Sequence, residues 1–241
     1  MLNMLISLAC SVLTTALMMR FVTDNIVIAS AASVLVFAGV FILITRIVMK
    51  KMGQLMETAQ RDVMANRTEK AVATIKSGLK YGPWQLYAKQ QIYSQLGTIL
   101  YMKREFSEAL PYLEKGFVRN WMSMAMLGIS YMKKNKPAKM KETFDMAIKG
   151  ARKESMLYAL YAFCLDRSNE RDKAVAILEK GLKKLPGDER LQENIELLKA
   201  GKRMKMKGYG DVWYQFHLEK PGAIIKKQTK MMTGRRKQVI R

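Results

Sequence analysis

The chain has 241 residues, and its 42 lysines and arginines against 20 acidic residues give a formal net charge of +22 at pH 7. This length has room for one or two ordinary domains, and the charge favours anionic partners such as nucleic acid or the cytoplasmic face of a membrane. Two distant cysteines and one histidine exclude a disulfide framework and a cluster of these metal ligands, so no metal or cofactor is expected.

Two uncharged stretches open the chain. Residues 1–19 and 26–45 contain no charged side chain, and only the short stretch from Arg20 to Asn25 separates them. Because a helix rises about 1.5 Å per residue, some 20 residues cover the roughly 30 Å hydrocarbon core of a bilayer. We therefore predict a transmembrane helical hairpin over residues 1–51, with spans at about 1–19 and 26–48. A signal peptide is disfavoured because the first stretch carries no basic residue.

Small residues predict how the two helices of this hairpin pack, and flanking charges predict its orientation in the membrane. Small residues at four-residue spacing let two helix backbones approach closely. The pairs are Ser7/Ser11 in the first span and Ala29/Ser33 in the second. Positive charge marks the cytoplasmic end of a span, and Arg46, Lys50 and Lys51 follow the second span. We therefore expect the domain that follows the hairpin, and both termini of the chain, on the cytoplasmic side.

An internal repeat follows the hairpin. The segment KAVATIKSGLKYGP at residues 70–83 returns as KAVAILEKGLKKLP at residues 173–186, with eight of fourteen positions identical. The offset of 103 residues is about three units of 34, a period typical of tetratricopeptide repeats. The predicted units are 52–85, 90–120, 121–154 and 155–188, followed by a capping helix at 189–207. Asp188 suits the N-cap of that last helix.

Specific residues in these units resemble the tetratricopeptide repeat family. The family carries Leu-Gly-x-x-Tyr on the first helix of a unit, an aromatic residue between small ones on the second, and a closing proline. The matches are Leu127, Gly128, Tyr131, Phe144 and Ala147 in the third unit, Leu96, Gly97, Ala109, Leu113 and Gly116 in the second, and Pro83 and Pro186 at unit ends. The resemblance implies an all-α protein, a hairpin followed by a short α-solenoid, similar in layout to bacterial inner-membrane members of the family.

The resemblance also implies a concave groove lined by the first helices of the units. The groove residues it indicates are Gln91, Thr98, Tyr101, Met122, Ile129, Met132, Lys133, Phe163 and Arg167. Their methionine and aromatic character suits an apolar peptide or helix. The alternative is that these side chains simply pack between repeats.

Two segments follow the repeats. Residues 208–221 are rich in aromatic side chains, including Trp213, Tyr214 and Phe216, and either seal the last helix or dock a partner. Residues 222–241 lack acids and are predicted to form a disordered basic tail. A basic surface that can contact anionic lipid is predicted at Lys202, Arg203, Lys205, Lys207, Arg235, Arg236 and Lys237.

The sequence favours a binding function over catalysis. It contains no phosphate-binding loop, catalytic triad or metal-ligand cluster, so we do not expect an enzyme. We expect a membrane-anchored scaffold or adaptor that binds a protein partner at the cytoplasmic face; another membrane protein is one such partner. The alternative is an electrostatic binder of RNA or anionic lipid; no small-molecule substrate is expected.

Overall fold

A computed structural model of the protein describes residues 2–22 and 24–219. These residues form eleven α-helices and two short 3₁₀ helices, and no strand occurs among them. The predicted all-α class is therefore confirmed. The predicted basic tail at residues 222–241 lies outside the described residues.

The helices follow one another closely along the chain. They are α1 Leu2–Phe21, α2 Ile26–Met64, α3 Thr68–Ser77, α4 Ala88–Met102, α5 Phe106–Glu114, α6 Trp121–Lys133, α7 Pro137–Gly150, α8 Ser155–Arg167, α9 Arg171–Lys184, α10 Glu189–Lys199 and α11 Asp211–Tyr214, with 3₁₀ helices at Gly78–Tyr81 and Met206–Tyr209. They fall into two compact units. Among the described residues, the first contains the chain up to Lys103 together with Ser107–Phe117, and the second contains Arg104–Phe106 together with the chain from Val118 to Glu219.

Helices α1 and α2 pack against each other as an antiparallel pair. By length and composition, both are apolar enough to cross a membrane. Their contact is made by small side chains, since Ser7, Ala29 and Ser33 are buried while most of the large apolar side chains are exposed. Asn3 Nδ2 also donates a hydrogen bond of 3.2 Å to Thr45 Oγ1. Of the small residues predicted to lie at the contact between the two helices, all are buried except Ser11, which is half-buried.

Helix α2 continues without a break to Met64, well beyond its apolar part. The predicted domain boundary between residues 51 and 52 therefore falls inside a helix. The second half of α2 buries Met52 and Ala59 in a core shared with α3 and α4, to which Ile75 and Ile92 also contribute. The apolar hairpin is therefore part of the first unit, and no linker separates it from the core that α2 shares with α3 and α4.

The second unit is built around two helix pairs, α6 with α7 and α8 with α9, followed by α10. Glycines allow the two helices of a pair to approach closely. A β-carbon added at Gly128 would lie 2.5 Å from Phe144 Cε2, and one at Gly181 would lie 2.7 Å from Tyr158 Cγ. Asp188 caps α10 as predicted, because its Oδ1 accepts hydrogen bonds of 3.1 Å from the backbone N–H groups of Arg190 and Leu191.

Candidate binding site on the second unit

The aromatic segment near the end of the described chain folds back onto the second unit. We define the C-terminal strap as residues 205–219, which contain the second 3₁₀ helix and α11. Five of its hydrophobic side chains are buried: Met206, Tyr209, Trp213, Phe216 and Leu218. Trp213 is 2% exposed and Phe216 is fully buried, whereas Tyr214 is half-buried. Burial of this extent makes the strap an integral part of the unit.

Trp213 fixes the strap to helix α8. Its ring meets the ring of Phe163 edge to face, with centroids 5.0 Å apart and planes at 77°. Such aromatic pairs contribute about 0.5–1.5 kcal/mol beyond the apolar area that they bury. The indole Nε1 donates a hydrogen bond of 2.8 Å to Glu219 Oε1, so its polar group is also satisfied.

The end of the strap lies near α6 and the start of α5. The rings of Phe216 and Trp121 are 6.4 Å apart, and those of His217 and Phe106 are 5.9 Å apart. Lys133 Nζ donates a hydrogen bond of 3.3 Å to the His217 carbonyl and lies 4.5 Å from the centre of the Phe106 ring. Although part of the Lys133 side chain is exposed, partial desolvation lowers its pKa, and the nearby positive charge of Arg104 lowers that pKa further.

The start of the strap is held by polar contacts to α8 and α10. The Tyr209 hydroxyl lies 3.2 Å from Ser155 Oγ, and burial raises the pKa of Tyr209 to about 12. The Arg190 guanidinium lies 4.7 Å from the centre of the Tyr209 ring. The buried side chain of Asn194 accepts a hydrogen bond of 2.7 Å from the Lys205 backbone and donates one of 2.8 Å to the Arg190 carbonyl. The strap is therefore fixed at both ends.

The residues predicted to line a groove divide into three groups. Thr98, Tyr101 and Ile129 are buried, Met122, Met132 and Phe163 are half-buried, and Gln91, Lys133 and Arg167 are exposed. Phe163 and Lys133 contact the strap. The sequence contained both the aromatic segment and the aromatic face of α8, but neither pattern indicates that the two meet.

A cleft of about 700 Å³ remains between the strap, α8 and α10. Its lining residues are Phe163, Arg167, Leu197, Arg203, Met204, Lys205, Met206, Lys207, Trp213, Leu218 and Glu219. The volume lies in the range of about 300–1,000 Å³ that is usual for ligand sites. Apolar and aromatic side chains are combined there with several basic ones, so the cleft suits a ligand that carries both apolar and anionic groups.

The predicted basic surface only partly coincides with this cleft. Arg203, Lys205 and Lys207 line it, while Lys202 is exposed and is not among its lining residues. Lys205 Nζ is paired with Glu193 at 2.7 Å. The remaining members, Arg235, Arg236 and Lys237, lie outside the described residues.

No group of three or more histidine, cysteine, aspartate or glutamate side chains suited to a metal ion occurs in residues 2–22 and 24–219. Comparison with protein-family models and with curated proteins finds no match. The fold and the site define an all-helical protein with two candidate membrane-spanning helices and, in its second unit, an aromatic and basic cleft beside the strap.

Proposed function

We propose that this protein is a membrane-anchored helical-repeat scaffold that binds a protein partner at the cytoplasmic face of the membrane. The strap is the observation that carries the proposal. A face formed by α6 and α8 holds an aromatic segment of the same chain through ring contacts with Phe163 and Trp121. A face with this chemistry suits an aromatic or apolar segment of a partner.

The spacing of the helices supports a tetratricopeptide-like arrangement of the second unit. Helices α6 and α8 each have 13 residues and begin 34 residues apart, at Trp121 and Ser155. Helices α7 and α9 each have 14 residues and also begin 34 residues apart, at Pro137 and Arg171. The helix-pair period therefore equals the tetratricopeptide period.

The first unit supports the anchoring part of the proposal. Helices α1 and α2 expose large apolar side chains such as Leu13 and Leu35, which water disfavours and lipid accommodates. Basic residues follow directly after the apolar part of α2, at Arg46 and Lys50. By the positive-inside rule the repeat units lie in the cytoplasm.

The open cleft beside the strap is the proposed contact for the partner. Displacing the strap would expose its five buried hydrophobic side chains, at a cost of about 1.5–3 kcal/mol for each large one. A partner that inserts into the cleft avoids this cost. Because Arg167, Arg203 and Lys207 line the cleft, the partner segment is expected to combine apolar and acidic side chains.

A photo-crosslinking amino acid at Arg167 in full-length protein in native membranes tests the proposal. Arg167 is exposed and lines the cleft, whereas Met146 on α7 is exposed and does not line it, so position 146 is the matched control. The expected result is a discrete crosslinked protein at position 167 and not at position 146. The crosslink should persist at moderate salt, because burial of apolar surface is less salt-sensitive than contacts between exposed charges.

Crosslinking to nucleic acid alone, abolished by moderate salt, would overturn the scaffold proposal. Contacts with nucleic-acid phosphates weaken steeply as salt rises. That outcome would support the electrostatic binder instead.

A further inference from the structure

The connection between the first 3₁₀ helix and α4 lies at one end of the apolar hairpin. The Leu2 backbone N–H, at the start of α1, donates a hydrogen bond of 2.9 Å to the Pro83 carbonyl. Asn3 in turn donates to Thr45 of α2. Thr45 is the last residue of the uncharged stretch of α2, and Arg46 is the first charged residue after it. The connection is therefore held where the hydrocarbon core of a bilayer ends.

We define the interfacial loop as residues 82–87. Leu86 is 56% exposed and Tyr87 is 48% exposed, while Trp84 is half-buried. Tyr87 is held in place by the ring of Phe117, with centroids 5.2 Å apart. Pro83 ties this loop to the first turn of α1, so the loop lies beside the end of the hairpin, whose large apolar side chains are also exposed. Tryptophan and tyrosine are enriched at membrane–water interfaces because their rings are amphipathic.

The charges around the interfacial loop complement an anionic membrane surface. Residues 70–104 and 25–56 contain no acidic side chain. Lys80 precedes the loop and its Nζ lies 5.3 Å from the centre of the Tyr81 ring. Lys89 follows the loop and its Nζ lies 5.8 Å from the centre of the Tyr93 ring. Basic residues close to a membrane surface attract anionic lipid headgroups, and their long side chains can place the charge in the headgroup layer.

We propose that the interfacial loop is a second membrane contact, inserted into the headgroup layer beside the hairpin. Leu86 and Tyr87 enter the boundary between headgroups and acyl chains, and Lys80 and Lys89 lie against anionic headgroups. The contact limits rotation of the first unit about the hairpin axis. This inference rests on the proposed membrane anchor, and its occupant is lipid because the loop continues the surface that the anchor presents to lipid.

Depth-dependent fluorescence quenching in vesicles tests the proposal. The full-length protein, with Cys10→Ser and Cys164→Ala, is reconstituted into phosphatidylcholine and phosphatidylglycerol and carries a polarity-sensitive fluorophore at a single new cysteine. The three positions are Leu86→Cys in the loop, Leu35→Cys within α2 and Met64→Cys at the far end of α2. Leu35 is 73% and Met64 is 76% exposed, so labels there have room. Met64 lies roughly 28 Å along the helix axis from Thr45, at about 1.5 Å per residue.

The label at Leu86 should lose most of its fluorescence to a quencher attached near the lipid headgroup. The label at Leu35 should lose most of its fluorescence to a quencher deep in the acyl chains. The label at Met64 should keep its fluorescence with either quencher. If Leu35 is quenched and Leu86 behaves like Met64, the second contact is overturned and the anchor stands. If the label at position 35 is quenched by neither lipid-attached quencher, the membrane anchor itself fails, and the second contact fails with it.

Discussion

Trp213 in the strap and Phe163 on α8 meet edge to face, with ring centroids 5.0 Å apart. This pair joins a segment near the end of the described chain to the helix that was predicted to receive a partner. Part of the predicted groove is thus occupied from within the chain. What remains accessible is the cleft of about 700 Å³ beside the pair, and the proposed partner contact is placed there for this reason.

Removal of the Trp213 ring is expected to release the strap. Trp213→Ala should lower the free energy of unfolding of the second unit by about 3–5 kcal/mol, as for other large aromatic side chains deleted from a core. Trp213→Phe keeps a ring against Phe163 and should lower the free energy of unfolding by a smaller amount. Thermal unfolding in detergent and limited proteolysis between residues 200 and 210 measure both effects. Equal resistance to proteolysis in the wild type and Trp213→Ala would show that the strap is held without this contact.

Substitution of Gly128 is expected to separate α6 from α7. Gly128→Ala places a methyl group 2.5 Å from Phe144 Cε2, and overpacking of this kind costs about 1–3 kcal/mol. Gly53→Ala is the control, because Gly53 lies inside α2 and an added β-carbon there would meet no atom beyond its own stretch of helix within 4 Å. That change should stabilise by about 0.5–1 kcal/mol, since glycine is unfavourable inside a helix. Chemical denaturation of both variants gives the sign of the change in the free energy of unfolding. A destabilisation of similar size in both would contradict the argument that Gly128 is needed for close packing.

The cap at Asp188 should make stability depend on acid pH. Burial acts to raise the pKa of Asp188, but hydrogen bonds from Ser155 and from the backbone of Leu191 and Arg190, with the Arg190 charge, lower it overall. Because the folded pKa is depressed, this stabilisation is present above the unfolded value of about 3.9 and is lost as pH falls through the folded pKa.

Two substitutions at position 188 separate the charge from the cap. Asp188→Ala should lower the free energy of unfolding by about 1 kcal/mol at neutral pH, because the N-cap is lost. Asp188→Asn keeps a cap and should remove the contribution of this residue to the loss of stability below about pH 4. Unfolding midpoints measured across this pH range report both effects. An acid profile of Asp188→Asn identical to that of the wild type would show that the Asp188 charge contributes nothing.

Enlargement of Ala29 is expected to disrupt the hairpin. Ala29 is fully buried where α1 and α2 meet, so Ala29→Leu should destabilise by about 1–3 kcal/mol through overpacking. Ala31→Leu makes the same change at an exposed position of the same helix and should be nearly neutral. Unfolding in detergent compares the two, and equal stability of the two variants would mean that the helices do not pack through their small residues.

Patterns local in the chain predicted much of this fold. Hydrophobic length and absence of charge indicated α1 and the apolar part of α2, and small-residue spacing indicated Ala29 at their contact. The 34-residue period indicated the helix pairs, and the aspartate at position 188 indicated the N-cap of α10. These features are set by neighbouring residues and by helix geometry, which the sequence displays directly.

Contacts between residues far apart in the chain were decided by the tertiary structure alone. The sequence shows that Trp213 and Phe163 are aromatic, but not that they meet. Many pairings bury similar area, and only chain geometry and shape complementarity select one. The hydrogen bond from Leu2 to the Pro83 carbonyl and the continuation of α2 to Met64 are of the same kind. The sequence by itself determined which helices form and which are apolar. Packing in three dimensions determined which face the strap covers and which loop is bonded to the end of the hairpin.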